Sequence, residues 1–304
     1  MPATFVAGVD LGATNMRVAV ATPEGGIEAR RAVPLPRGTP EEVLRAVTRT
    51  VDDLARGVWV GASAAAIGMA LPGIVDPSGG TVASIANLPG WDNVPVARLV
   101  AADRDIPVAI ENDANAAALG EGWKGAAQQL SDYVFIAHGT GFGAGVVLDG
   151  RLHRGSRFLA GEVAYFAMTR EQLRSREWKH TLDGVVGGLA AEHKARELLG
   201  DRASAADLFA AAFAGDAGAS AWLEEVHDYI AMAVCDIVAL LDPEAVIFGG
   251  GVAIMQGERF IAPIRDRVNA RMLAPARVVL SELGADAQLI GAIRIAASLL
   301  EGGR

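Results

Sequence analysis

Cysteine is almost missing from this chain: Cys235 stands alone among 304 residues. One thiol excludes an internal disulfide and any zinc site built from several cysteines within the chain, and it suits a reducing compartment. Positive charge is also scarce, with 27 Lys and Arg against 36 Asp and Glu and a net charge of −9. A duplex-binding surface needs clustered cations to displace counterions, so nucleic acid is not an expected partner. Charges interrupt every alanine-rich stretch before it reaches membrane length. The opening MPATFVAGVDLG carries neither the basic patch nor the apolar run of a signal peptide. These absences lead to the expectation of a cytoplasmic protein with no membrane partner.

What is present is the composition of a folded protein, 51% hydrophobic and 21% charged, at a length that suits two domains of about 100–200 residues each. Apolar, β-branched runs bounded by glycine predict strands at 5–10, 16–21, 64–70, 106–110, 133–137, 143–148, 245–250 and 277–282. Helical periodicity predicts helices at 40–56, 114–123, 184–199, 218–241, 257–273 and 286–301. Strands alternating with helices predict an α/β architecture. The apolar helix at 221–241 is suited to the core, with an interface as the alternative. Two segments look alike: VDLGATNMRVAVATPEGG (9–26) and AHGTGFGAGVVLDGRL (137–152) each place a glycine/threonine turn after a strand, then a second strand and a tight hairpin turn. They predict two related halves, each opening on a loop of phosphate size.

Neither loop is a P-loop, since the Lys-Ser/Thr ending is missing, and neither has dinucleotide-type glycine spacing. Gly-rich turns nevertheless expose backbone N–H groups, to which Thr14 and Thr140 add hydroxyl donors. Asp10 ends the first strand, where its carboxylate can hold Mg²⁺ directly or through water. A third cluster, FGGGV (248–252), follows a buried-type strand and precedes a helical segment, as at a nucleotide's base or ribose. A tight connection explains any one of these clusters as well.

Taken in order, GVDLGATN, GMALPGIVD, ENDANAAALGE, GTGFGAGVVLDGRLHRG, AGEV and VIFGGGV resemble the ROK family of sugar kinases and sugar-responsive repressors, within the actin-like ATPase superfamily. The resemblance spans almost the whole chain. It implies two RNase H-like lobes with a cleft between them, the smaller made of 1–113 plus 288–304 and the larger, carrying the nucleotide site, of 114–287. It also implies ATP and Mg²⁺ as cofactors and a homodimer. By resemblance Asp10, Gly12, Thr14 and Asn15 belong to the first phosphate loop, Gly139, Thr140 and Gly141 to the second, and Gly249, Gly250 and Gly251 to the adenosine site.

The stretch ENDANAAALGEGWKG (111–125) crowds Glu111, Asn112, Asp113 and Asn115 at a strand-to-helix junction. Phosphoryl transfer asks the protein for positioning, charge neutralisation and a proton acceptor. Asp113 matches the family's catalytic aspartate and is the expected base, and Asn112 can donate to and accept from sugar hydroxyls. The competing explanation is helix capping, for which Asp and Asn are preferred. Capping needs one such residue rather than four.

Glu162 in LAGEV resembles the family's sugar-contacting glutamate, and Asp183 in TLDGVVGG stands where a second glutamate is usual. Two departures bear on specificity. The family's histidine is replaced by Tyr165, and the stretch TREQLRSREWKHTLDGVVGG has no cysteine where a zinc motif belongs. His180 is an alternative donor, though a surface histidine explains it as well. NLPGW offers Asn87 as a hydroxyl ligand and Trp91 as a pocket wall, with a core tryptophan as the alternative; Glu121 matches a family position without a clear role. The resulting expectation is a kinase acting on the primary hydroxyl of a glucose-like sugar. A cyclitol, fructose, mannose or an N-acetylhexosamine are alternative acceptors. A non-catalytic sugar sensor is the reading from another class, and the few residues ahead of Gly8 leave it no DNA-binding module.

Overall fold

A computed structural model describes residues 4–12, 14–59, 64–85, 88–102 and 104–301. The chain divides into two compact units, one of Met1–Gln128, Arg154–Leu159 and Asp286–Arg304, the other of Gln129–His153 and Ala160–Ala285.

The first unit is built on β1 (Phe5–Leu11), β2 (Asn15–Ala21), β3 (Ile27–Pro34), helix α1 (Pro40–Val58), β4 (Ala64–Leu71), β5 (Ile74–Asp76), β6 (Thr81–Ser84), helix α2 (Val96–Ala101), β7 (Val108–Asn112) and helix α3 (Asp113–Lys124). Its five-stranded sheet has the order β3-β2-β1-β4-β7, antiparallel from β1 outward through β2 and β3 and parallel from β1 through β4 to β7. Every residue of β1 is buried, as expected of a central strand covered on both faces. One face packs Phe5, Val9 and Leu11 against Val43, Leu44, Val47 and Val51 of α1, whose start is fixed by Pro40 and by a capping box between Thr39 and Glu42. The other face receives the C-terminal helix, Ala287–Glu301. The approach is close: a Cβ on Gly68 of β4 would stand 2.1 Å from the Ala292 carbonyl oxygen, and one on Gly291 would stand 1.7 Å from that of Ala116 in α3. Strand, α3 and C-terminal helix are thus wedged together through glycine. The sequence boundary drawn at 113/114 is therefore not where packing divides the chain, because α3 stays with the first unit.

The second unit repeats the pattern. Its strands are β8 (Tyr133–His138), β9 (Phe142–Leu148), β10 (Arg151–Leu152), β11 (Ala245–Gly249) and β12 (Val278–Leu280), in the order β10-β9-β8-β11-β12, again antiparallel on the hairpin side and parallel through β8, β11 and β12. The hairpin between β9 and β10 turns on Asp149 (φ 51°) and Gly150 (φ 69°), the positive pair that a type I′ turn demands. Helices α4 (Arg170–Arg174), α5 (Leu182–Val186), α6 (Gly188–Leu199), α7 (Ala205–Phe213), α8 (Ala217–Leu241), α9 (Gly251–Gln256) and α10 (Glu258–Arg271) complete it. The long α8 buries Trp222, Leu223, Val226, Ile230, Val234 and Ile237 against Phe209, Phe260 and Ile264, which makes it chiefly a core helix.

Elements that sequence reading missed include strand β3, which has little buried surface, and helix α7, which buries Leu208 and Phe209. Strand β3 (IEARRAVP) is mostly exposed and carries Arg30 and Arg31, the charged edge by which sheets discourage further pairing. The helix expected over 184–199 is broken at Gly187, whose ψ of 159° is extended, so α5 and α6 are separate.

Candidate active site

Strand β7 passes into α3 without a loop, and this junction sorts the crowded polar residues by role. Asn112 is the N-cap: its Oδ1 accepts from the backbone N–H of Ala114 (2.9 Å) and Asn115 (3.2 Å), and its Nδ2 donates to the Gly73 carbonyl (3.1 Å). A carbonyl oxygen accepting two bonds is full, so Asn112 keeps one N–H for a hydroxyl, not the donor-and-acceptor pair expected of it. Glu111, 2% exposed, accepts from the Asn112 N–H and from Asn115 Nδ2 (both 3.0 Å) through Oε1, and from Arg154 Nε (2.7 Å) through Oε2. Asp113 is half-buried at the first position of α3, with Oδ1 accepting the Ala114 N–H at 2.8 Å. Three of the four residues thus serve the fold, and Asp113 is held in place by the helix they cap. Glu121 is fully buried and accepts the Ala126 N–H (2.7 Å), closing the far end of the same helix. Trp91, 2% exposed, belongs to the core on the α1 side. Asn87 lies outside the described residues.

The first glycine turn is the β1–β2 hairpin. Gly12 donates to the Asn15 carbonyl (2.9 Å), and Thr14 and Asn15 are exposed at its tip. Asp10 is 8% exposed and pairs with Arg17, which stands directly opposite it across the strands; Nε and Nη2 of Arg17 reach Oδ2 at 2.7 and 2.6 Å. Burial pushes the Asp10 carboxyl above its ordinary value and the Arg17 guanidinium pulls it back. A guanidinium already on Oδ2 opposes a second cation at contact distance, so of the two modes for Mg²⁺ the one through water fits this arrangement. Arg17 was missed by sequence reading. Once the turn is placed at 12–15, however, strand register alone sets 10 against 17.

In the second unit two glycine clusters meet. Gly139 of the β8–β9 turn donates to the Gly141 carbonyl (2.9 Å), while the Gly139 and Thr140 carbonyls accept the first N–H groups of α6, from Gly188 and Leu189 (2.9 Å each). The point that a Cβ on Gly139 would occupy lies 3.7 Å from the Gly251 nitrogen, which places Gly249, Gly250 and Gly251 beside the turn. Gly250 has φ 85° and sits against the His138 backbone, where a Cβ would come within 2.5 Å of the carbonyl oxygen. Additions at Gly143 or Gly251 would meet nothing within 4 Å, so the backbone is open to approach there. The cluster lies at the carboxyl ends of the adjacent parallel strands β8 and β11, where open α/β sheets bind ligands. Beneath it His138 is fully buried, its Nε2 at 2.8 Å from the Val186 carbonyl oxygen, and burial lowers its pKa to about 4. The neutral imidazole therefore ties the end of β8 to the segment before α6.

Glu162 and Asp183 are electrostatic neighbours: burial first and the Asp183 charge second raise the Glu162 pKa. The Asp183 carboxylate accepts the Phe142 N–H (2.6 Å) and the Trp178 indole N–H (2.7 Å), each oxygen retaining further lone-pair capacity. Tyr165 is 74% exposed and shares a cavity with Asp183. Hydrogen bonds hold the cysteine-free segment. A capping box joins Thr169 and Gln172, the His180 ring nitrogen Nδ1 lies 2.7 Å from Ser175 Oγ, and Thr181 Oγ1 donates to the Trp178 carbonyl (2.7 Å). His180 is thus engaged with its own segment. No grouping of His, Cys, Asp and Glu suited to a metal occurs among the described residues. A cavity of about 790 Å³ between α8 and α10 contains none of these candidates.

Known proteins share this fold. A family model described as ROK family matches residues 6–298. The chain belongs to the ROK family. A glucokinase of Thermotoga maritima is 31% identical over 97% of this chain and 98% of its own length. A crystal structure of a ROK hexokinase from Thermus thermophilus, 29% identical, superposes with a TM-score of 0.86 over 98% of this chain and 100% of that one. A ROK family glucokinase from Streptomyces griseus, crystallised with glucose and AMPPNP and 28% identical, gives 0.81 over 97% and 99%. The α/β fold of this member, with its two sheets of matching strand order, is that of the actin-like ATPases.

Proposed function

We propose that this protein transfers the γ-phosphoryl group of ATP to the primary hydroxyl of a glucose-like sugar. The chain is a sugar kinase, a phosphotransferase with an alcohol acceptor. The observation that carries the reading is the β7–α3 corner: Glu111, Asn112 and Asn115 are used to build and cap the helix start, and that start holds the Asp113 carboxylate. Asp113 takes the proton of the sugar hydroxyl as its oxygen bonds to the γ-phosphorus; the bridging P–O bond breaks and ADP leaves. The Gly12 and Gly139 N–H groups donate within their own turns, so the Thr14 and Thr140 hydroxyls and the other N–H groups of the turns with Asn15 and Gly141 cradle the phosphates, and Gly249, Gly250 and Gly251 give the nucleoside room. Glu162, Asp183 and the remaining N–H of Asn112 receive sugar hydroxyls, with Asn87 and Tyr165 as further contacts. Asp10 would hold Mg²⁺ through water; when bound, that ion neutralises phosphate charge.

The use of ATP argues for the cytoplasm. Self-association into a homodimer is part of the proposal, supported by exposed apolar side chains on and near α8 and α10: Met232, Leu240 and Leu273. The kinase reading is tested by ADP release coupled to a panel of hexoses, cyclitols and N-acetylhexosamines. Turnover with a glucose-like sugar supports it, and no turnover with any polyol overturns it.

A further inference from the structure

The second glycine turn takes its orientation from the short segment 186–189. The Gly139 and Thr140 carbonyls accept the N–H groups of Gly188 and Leu189 at 2.9 Å each. In a trans peptide the carbonyl and the N–H that follows it point in opposite directions. Anchoring these two carbonyls on the start of α6 therefore turns the Thr140 and Gly141 N–H groups away from that helix. Those are the backbone donors that the kinase reading gives to the phosphates at this turn.

The anchor is itself fastened by His138. This residue ends β8 immediately before the turn, and its Nε2 lies 2.8 Å from the carbonyl oxygen of Val186, two residues ahead of Gly188. A carbonyl only accepts, so Nε2 carries the proton and Nδ1 is a bare lone pair, buried without a partner. The ring is fully buried against Phe142 (5.4 Å, edge-on) and Phe260 (5.3 Å). Burying a polar ring costs desolvation that a single hydrogen bond offsets only in part. An apolar side chain would fill the space without that cost, so what the imidazole adds is the tie to Val186. The other side of the turn is fastened separately, by the Phe142 N–H on Asp183 Oδ1 (2.6 Å). We propose that His138 is a positioning residue for nucleotide binding: through Val186 it holds segment 186–189 against the turn and keeps the Thr140 and Gly141 N–H groups aimed at the phosphates. This inference rests on the kinase reading for the place of the phosphates.

The test measures AMPPNP affinity and sugar affinity separately by calorimetry, together with steady-state kinetics, for the wild type, His138→Phe, His138→Gln and Gly188→Ala. Phenylalanine keeps a ring and deletes the donor, whereas glutamine carries an amide N–H at a similar reach. In Gly188→Ala the added Cβ would stand 2.5 Å from the Gly139 carbonyl oxygen and push it off its anchor, although alanine is the better helix former. His138→Phe and Gly188→Ala should each weaken AMPPNP binding and raise KM for ATP about 5- to 10-fold, the worth of one buried hydrogen bond, with sugar affinity and kcat at saturating ATP within about 3-fold of wild type. His138→Gln should recover most of the loss. A purely structural role would lower Tm and leave the AMPPNP affinity of the folded variants unchanged; that result overturns the inference, as does a His138→Gln variant that binds no better than His138→Phe. If AMPPNP affinity responds as expected while no polyol is turned over by the wild type, the positioning role stands and the kinase reading falls. Unchanged AMPPNP affinity in a wild type and variants that all turn over sugar does the reverse. If His138→Phe does not fold, Gly188→Ala decides, and unchanged AMPPNP affinity there overturns the inference.

Discussion

Arg154→Met probes how the proposed catalytic corner is held. The substitution keeps most of the aliphatic stem and removes the guanidinium that reaches Glu111 Oε2 at 2.7 Å. Glu111 is 2% exposed at its side chain and cannot move its charge to water, so it is left with the Asn112 N–H and Asn115 Nδ2 on its other oxygen. Removing one partner of a fully buried ion pair costs about 3–5 kcal/mol. The Arg154 side chain is 39% exposed, so water reaches Oε2 once the guanidinium is gone, and the loss should shrink to about 1–3 kcal/mol. For a protein of this size that is a fall in Tm of roughly 2–12 °C. Calorimetry on Arg154→Met, Glu111→Gln and the double variant forms a cycle in which the double change costs less than the sum of the single ones, because neutralising Glu111 removes the unpaired charge. Additive losses, or an unchanged Tm in Arg154→Met, would refute the assignment of Glu111 to structure. So would a Glu111→Gln variant that folds normally yet loses as much rate as a change at Asp113.

Three further outcomes follow from single features. Because burial and Asp183 raise the folded-state pKa of Glu162, its stabilising contribution exists below the unfolded value and is lost as pH rises through the folded one. Glu162→Gln should therefore raise Tm near pH 7.5, leave it unchanged near pH 4 and weaken sugar binding; a lower Tm at neutral pH contradicts this. His138 and His227 have folded pKa values of about 4 against an ordinary 6.5, so their neutral forms stabilise the fold above pH 6.5 and that stability is lost as pH falls toward 4, by about 3 kcal/mol for the fully buried His138. Urea unfolding at pH 7 and pH 4.5 should show this slope, flattened in His138→Phe and further in the double variant with His227→Leu; an unaltered slope counts against it. Gly68→Ala places a methyl against the Ala292 carbonyl and should destabilise the protein by about 1–3 kcal/mol or more, with full wild-type stability as the opposing result.

Much of the fold was legible because its central strands are buried on both faces and therefore read as unbroken apolar runs. FVAGVDL and AVIFG are of this kind. The edges were not legible: β3 has an exposed, charged pattern, and β10 is two residues long. The glycine turns were visible as loops. That Gly139 and Gly251 adjoin follows from parallel pairing of β8 with β11, a long-range contact that local composition does not encode. At the corner, the sequence presented four polar residues of similar chemistry. Their division into cap, buried tie and proposed base depends on which way each side chain leaves the strand end. Arg154 and Trp178 were missed for the same reason, since an exposed-looking arginine or tryptophan shows its partner only after folding.

The most direct test of the central claim is the rate of ADP release by Asp113→Asn with a saturating glucose-like sugar, measured alongside sugar affinity. Loss of the proton acceptor should lower kcat by about 2–4 powers of ten while the dissociation constant of the sugar stays within a few-fold of wild type. A variant that turns over at the wild-type rate would show that another group accepts the proton.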